Sequence, residues 1–394
     1  MARMFDYEYL SQEHLAGFEH YKYSSVDTNP LSIYVMHPFW NSIVKFFPEW
    51  VAPNVLTFTG FMLTVLNFLL FSVYDYEFRA SSDTFPKNPP IPEWAWLASA
   101  LCVFAAHTLD GIDGKQARRT KTSGPLGELF DHGLDSWTTL FIPACLYSVY
   151  GSSDYSIGPL RMYFCLWNVF GMFYVSHWEK YNTGLLFLPW GYDLSMVVAT
   201  LIFSLTFFGG YSMWKFDLPG TSVSAGILCE MMLYAGSLGI SLPMSFYNIY
   251  KAYKDGTGKG RSFTEANRPF FSLALFFTSC MVWIAYSPSN IIVVDPRAFY
   301  FMTGTVVSNI CCRLIVNQMS DTRCDLVHWI LVPVIVALGI VLCLPAGIAS
   351  TEKYILWLLT GGVTLLHIHY GICVVRQMCK HFNIHCFSIS KKED

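Results

Sequence analysis

The 394-residue chain is 53% hydrophobic and only 13% charged, with a mean hydropathy of +0.38. A soluble domain carries roughly 25% charged residues, so most of this surface does not face water. The formal net charge of −3 excludes a protein that gathers nucleic acid by bulk positive field, and the 12 cysteines show neither a CxxC pair nor a regular spacing, so they read as buried free thiols, not a disulfide framework or a zinc site.

The first thirty residues are polar and aromatic and lack the apolar core of a signal peptide. The first membrane span is therefore expected to act as the insertion signal. Leu31–Phe47 is apolar and aromatic but interrupted, and reads as helices lying in the membrane interface. A spanning helix needs about 20 mostly apolar residues. Such stretches fall near 53–74, 93–112, 132–150, 159–177, 192–213, 222–249, 269–286, 298–318, 326–345 and 354–376. The chain is thus predicted to be all-α and polytopic, with about ten spans. Pro243 interrupts the sixth and predicts a kink. With the loop around Lys115–Lys121 placed in the cytoplasm, the opposite side holds only Arg79, Lys87, Arg161, Lys215, Arg297 and Lys353 of the 25 Lys and Arg. This positive-inside asymmetry puts both termini in the cytoplasm. The ending Lys391-Lys392-Glu393-Asp394 then fits a dilysine retrieval signal of the endoplasmic reticulum, with the Golgi as the alternative.

The segment Asp110–Asp135 (DGIDGKQARRTKTSGPLGELFDHGLD) carries the chemistry. Asp110 and Asp113 are three apart, Asp131 and Asp135 four apart, so each pair shares a helix face. Carboxylates at membrane depth are costly unless paired or bound to a cation. Two facing pairs make an oxygen-only site that suits a hard cation, Mg²⁺ or Mn²⁺, and four carboxylates suit two ions. Two ions in turn suit displacement at phosphorus. Gly114, Ala117 and Gly127 leave room for a ligand to approach the backbone, and Arg118 offers a planar fork for phosphate oxygens. Lys115, Arg119 and Lys121 read equally as attractors of an anionic substrate and as ordinary positive-inside anchors.

The spacing Asp110-x-x-Asp113-Gly114-x-x-Ala117-Arg118, eight residues, Gly127-x-x-x-Asp131-x-x-x-Asp135 resembles the signature of the CDP-alcohol phosphotransferases. Further stretches, YKYSSVDTNPLSIYVMHPFWNSIVKFFPEW, SHWEKYNTGLLFLPWGYD and HIHYG, resemble the choline and ethanolamine branch, most of all its ethanolamine transferases of the selenoprotein I type. The sequence itself contains no selenocysteine. The resemblance implies a cytoplasmic arm and interfacial helices over 1–52, a catalytic core of six spans over 53–250, four further spans over 251–380 with a role in dimerisation, and a cytoplasmic tail over 381–394. It implies transfer of phosphoethanolamine from CDP-ethanolamine to diacylglycerol, with choline or dual use as the alternative.

The acceptor hydroxyl needs a base. His132 suits neutral pH, and Glu128, one helical turn earlier, is placed to hold its imidazole; Asp135 is the alternative. The resemblance points to the Glu128–His132 pair as well. Asn54 resembles an asparagine that touches the CDP moiety in relatives, or it caps the first span; Thr57 beside it is left open. Glu179, with Trp178 or Tyr181, is a candidate for the ammonium head group, or an interfacial anchor. His367 and His369 read as buried hydrogen-bonded residues. A transporter or divalent-cation channel is the reading from another class. It lacks the internal repeats of transporters and leaves the Gly, Ala and Arg of the motif without a role.

Overall fold

The structure is a computed structural model and describes residues 6–389 except 83, 86, 154, 189 and 346–348. Its helices are α1 (Gln12–His20), α2 (His37–Ile43), α3 (Pro53–Tyr74), α4 (Glu93–Arg119), α5 (Pro125–Tyr150), α6 (Pro159–Thr183), α7 (Gly191–Gly209), α8 (Ala225–Gly236), α9 (Leu242–Lys254), α10 (Phe263–Asn267), α11 (Phe270–Tyr286), α12 (Ile291–Val294), α13 (Pro296–Ser320), α14 (Leu331–Leu342) and α15 (Ala349–His381). Proline opens α3, α5, α6 and α13, where its missing N–H costs nothing.

Helix occupies each of the ten expected stretches, in order. Six segments are long and apolar enough to cross a membrane: α3, α4, α7, α8 with α9, α13 and α15. α11 and α14 are shorter apolar helices. α5 and α6 have the length but carry Glu128, Asp131, Asp135, Glu179 and Lys180. The break expected at Pro243 falls just before it, as a π-helical turn over Ser237–Ser241 that joins α8 to α9. α13 is the central post: 89% of its apolar window is buried, against 17% for α8–α9 at the perimeter.

The boundaries that differ most from expectation flank the acidic segment. Hydropathy drops at 112 and recovers at 132, yet α4 continues to Arg119 and α5 starts at Pro125. All four aspartates therefore sit inside regular helix. The polar extension of α4 is held from the side. Gln116 Nε2 donates to the carbonyls of Pro48 and Val51, at 2.9 and 3.1 Å, and Arg119 Nη1 donates to those of Val44 and Phe47, at 2.7 and 2.8 Å.

The residues before α3 form a collar around this end of the bundle. α1 is opened by a reciprocal cap between Ser11 and His14. It lies so close on the end of α13 that a Cβ at Gly17 would stand 2.1 Å from the Ser320 carbonyl oxygen. Ser25–Val26 pairs in parallel with Leu186–Phe187 after α6. The interfacial segment is broken into a π turn (Ser32–Met36), α2 and a 3₁₀ turn (Val44–Phe46), with Tyr34, Phe46 and Trp50 exposed. That is the pattern of an in-plane element with an apolar face left for lipid.

Candidate active site

α4 and α5 run antiparallel across the Thr120–Gly124 turn, and α3 packs against both. The result brings the four aspartates together. One oxygen from each of Asp110, Asp113 and Asp131 lies within 4.8 Å of the others, and so does one ligand atom from each of Asp131, His132 and Asp135. Their hydrogen bonds are sparse. Thr57 Oγ1 donates to Asp113 Oδ2 at 2.5 Å, and the Tyr192 hydroxyl donates to Asp110 Oδ2 at 2.8 Å. Asp131 Oδ1 is buried without a partner, and among the described residues no hydrogen bond reaches Asp135.

Two like charges 4.8 Å apart repel by about 3 kcal/mol at an effective dielectric of 20. Four such groups with so few donors need a cation among them. Oxygen ligands with open valences, Asp113 buried and the other three half-buried, match a hard divalent metal. The residues present therefore fit the metal that the motif implies.

Gly111, between Asp110 and Ile112, is required for a different reason. A Cβ there would stand 2.1 Å from the Trp40 ring of α2. Trp40 lies against the α4 backbone and meets His107 edge-on, with ring centroids 5.4 Å apart. His107 Nε2 in turn pairs with Asp193 Oδ1 at 2.8 Å, and Asp193 also accepts from the Ser32 hydroxyl. Tyr192, the neighbour of Asp193, is thereby held on Asp110.

Other predicted site residues divide. Asn54 and Gly127 face each other: a Cβ on Gly127 would stand 3.7 Å from Asn54 Oδ1. The exposed Arg118 side chain lies over Gly114, with Nη1 3.6 Å from where a Cβ would be. Ala117 lines the same stretch of α4. His132 sits 5.2 Å, ring to ring, from His177.

Glu128 does not hold His132. Both its carboxylate oxygens accept from the Tyr21 hydroxyl, at 2.7 and 2.6 Å, and it forms a buried ion pair with Lys180. Among the described residues no hydrogen bond reaches the His132 ring. Sequence spacing within one helix missed these partners because Tyr21 and Lys180 arrive from the collar and from α6. Lys180 Nζ also bonds the Tyr21 hydroxyl at 2.6 Å and lies 5.1 Å from the Tyr23 ring centroid. Burial, then the Glu128 carboxylate, pushes the Tyr21 phenol well above the usual tyrosine range, so it stays a donor.

Glu179 is likewise not at the cluster. On a helix it points away from its neighbour Lys180, and its Oε1 accepts from Asn248 Nδ2 of α9 at 2.8 Å. Lys115 and Arg119 bind the collar, through Asn41 Oδ1 (2.8 Å) and the carbonyls already described. His367 is buried between Ser308 (3.1 Å) and Asn309 (3.3 Å), and His369 takes the Tyr9 hydroxyl (2.9 Å). The tail lysines 391 and 392 lie outside the described residues.

A CDP-alcohol phosphatidyltransferase family model matches residues 50–215, the stretch that holds all four aspartates, Asn54 and Tyr192. Ethanolaminephosphotransferase 1 of Mus musculus is 48% identical over 388 residues, 98% of this chain and 96% of that one. The Homo sapiens protein of the same name is 48% identical over 389 residues, with the same coverage. The chain belongs to the CDP-alcohol phosphatidyltransferase family. Choline/ethanolaminephosphotransferase 1 of Arabidopsis thaliana is also similar, 30% identical over 411 residues, 98% of this chain and 99% of that one. This membrane transferase works within phospholipid synthesis, and its family moves a phospho-alcohol from a CDP-alcohol to diacylglycerol in a metal-dependent way.

Proposed function

We propose that the protein transfers phosphoethanolamine from CDP-ethanolamine to diacylglycerol, giving phosphatidylethanolamine and CMP. The observation that carries the reading is the eight-residue motif folded into one acidic cluster, in a chain whose relatives at 48% identity are named ethanolaminephosphotransferases over nearly their full length. Asp110, Asp113, Asp131 and Asp135 would hold Mg²⁺ or Mn²⁺, two ions by the number of carboxylates. A metal held there would supply charge neutralisation for the reacting phosphate and the leaving oxygen.

The chain's own residues do the rest. Arg118, at the open end, binds phosphate oxygens, and Gly114, Ala117 and Gly127 let the nucleotide approach α4 and α5. Asn54 contacts the nucleoside. A small gap beside Asp110 and Asp135, lined by Thr57, Gly60, Thr138 and Tyr192, lies where the acceptor hydroxyl would meet the acidic cluster. The acceptor hydroxyl oxygen attacks the phosphorus of phosphoethanolamine, the bond to the CMP oxygen breaks, and the hydroxyl proton passes to His132. His132 is the base because its ring is free of other hydrogen bonds beside Asp131. Glu128, tied to Tyr21 and Lys180, shapes the site from behind.

The same reading places the enzyme in the endoplasmic reticulum membrane with both termini cytoplasmic, as the Lys and Arg asymmetry supports, and as a homodimer, as the resemblance implies. Transfer from labelled CDP-ethanolamine and CDP-choline to diacylglycerol by the purified protein, with and without Mn²⁺ or Mg²⁺, tests it. Metal-dependent product from CDP-ethanolamine is expected. Product from CDP-choline alone overturns the head-group assignment, and no product from either donor overturns the reading.

A further inference from the structure

Beyond the end of α15 the chain turns back over the acidic half of the bundle. Phe382 N bonds the Met378 carbonyl at 2.9 Å and Ile384 N bonds that of Cys379 at 3.0 Å, while Asn383 takes a left-handed φ of 52°, a conformation that asparagine tolerates. His381 Nε2 pairs with Glu19 Oε1 of α1 at 3.0 Å. The reversal lays Cys386 and Phe387 across the seam between α3 and α5. The Phe387 ring sits 5.8 Å from Phe58 and 5.6 Å from Phe130, and these rings flank Thr57 and Asp131 in sequence. The Cys386 carbonyl accepts from Asn54 Nδ2 at 3.0 Å.

That last bond decides how Asn54 is presented. A backbone carbonyl only accepts, so the amide nitrogen must face it, and the amide orientation follows from chemistry. Asn54 Oδ1 then points toward Gly127. We propose that the tail is a positioning element of the donor site: the Cys386 carbonyl, anchored by Phe387 between Phe58 and Phe130, locks Asn54 so that it accepts a hydrogen bond from the donor nucleoside. Phosphate oxygens have no hydrogen to give, so the partner is an N–H or O–H, the exocyclic amine of the base or a ribose hydroxyl. This segment lies far outside residues 50–215, so the site is completed by chain that the family motif does not include. The inference rests on Asn54 contacting the nucleoside, as read above.

Full-length protein, Phe387→Ala, Phe387→Leu and a chain lacking residues 385–394 are purified in detergent and assayed with saturating metal. Phe387→Ala and the shortened chain are expected to raise the donor KM roughly threefold to tenfold, the cost of one lost hydrogen bond, with kcat and the diacylglycerol KM unchanged. Phe387→Leu restores most of the loss, and thermal midpoints confirm that each variant is folded. A weakened preference for CDP- over UDP-ethanolamine assigns the bond to the base amine; an equal loss for both assigns it to the ribose. An unchanged donor KM overturns the proposal. So does a lowered one, which makes the tail a plug. Asn54→Ala separates the two levels. If it leaves the donor KM unchanged, the nucleoside role of Asn54 fails; if it raises that KM while the tail variants are silent, only the tail proposal fails.

Discussion

Carboxylates sit inside both ends of the bundle, fully buried at one and mostly half-buried at the other, and they are treated in opposite ways. Away from the motif, Asp295 accepts from the Tyr76 hydroxyl (2.9 Å) and the Ala298 amide (3.2 Å) on one oxygen. Its other oxygen accepts from Trp357 Nε1 (2.9 Å), with Lys353 Nζ at 3.4 Å. Glu352 takes Trp283 Nε1 at 2.9 Å and both the amide and hydroxyl of Ser289, at 3.0 and 2.5 Å. Every oxygen of these two carboxylates is satisfied, while Asp75 at the same end fills Oδ1 with the Arg79 and Ala80 amides and leaves Oδ2 without a partner. At the motif, four aspartates share the two hydroxyl donors Thr57 and Tyr192, and Asp131 Oδ1 has none. A buried carboxylate with its valences filled holds helices together; one with open valences beside its like is stable only with a cation. An open valence alone does not mark the motif, since Asp75 Oδ2 has one too; the gathering of four carboxylates does.

Removing charge should therefore have opposite consequences at the two ends. Asp131→Asn is expected to lower transfer by at least about a thousandfold, the loss of several kcal/mol of metal-borne stabilisation, while the metal-free thermal midpoint stays the same or rises. A folded Asp131→Asn enzyme with near-normal activity breaks the comparison. Chelation should abolish transfer reversibly. Re-added Mn²⁺ should raise the midpoint of the unaltered protein by an amount equivalent to about 2.7 kcal/mol at a hundredfold excess over Kd, and should hardly move that of Asp131→Asn. Glu352→Gln gives the converse pattern: a loss of about 1–3 kcal/mol in stability, read as a lower midpoint, with kcat/KM per folded molecule retained. Tyr192→Phe sharpens the comparison at its edge. It should raise the Mn²⁺ concentration for half-maximal activity roughly tenfold, the usual weight of a hydrogen bond to a metal ligand, and leave kcat at saturating metal close to that of the unaltered enzyme.

Legibility in the sequence was uneven for physical reasons. The spans were readable because lipid demands long apolar helices, and the aspartates because acid inside such segments is rare and its helical spacing is local. The helix ends at Arg119 and Pro125 were not, since hydropathy records polarity and not the lateral bonds to the Pro48, Val51, Val44 and Phe47 carbonyls that keep α4 wound. The pairing of Glu128 with His132 was the natural inference from a four-residue spacing, but Lys180 and Tyr21, 52 and 107 residues away, took the carboxylate instead. Glu179 was singled out by its aromatic neighbours, and on a helix adjacent side chains point about 100° apart, so Lys180 meets Glu128 while Glu179 meets Asn248 of α9. Ser32, His107 and Asp193 carried no local signal at all.

The sequence by itself determined the solvent, the helices and the reaction class of this protein. Hydropathy, charge placement and a signature within 26 residues are local properties that survive without coordinates. Only the tertiary structure decided which donors reach each buried acid, that Trp40 and Tyr192 brace the α4 aspartates, and that the end of the chain returns to Asn54. Those contacts join segments up to 332 residues apart, and no spacing rule along the chain reports on a neighbour that folding alone brings near.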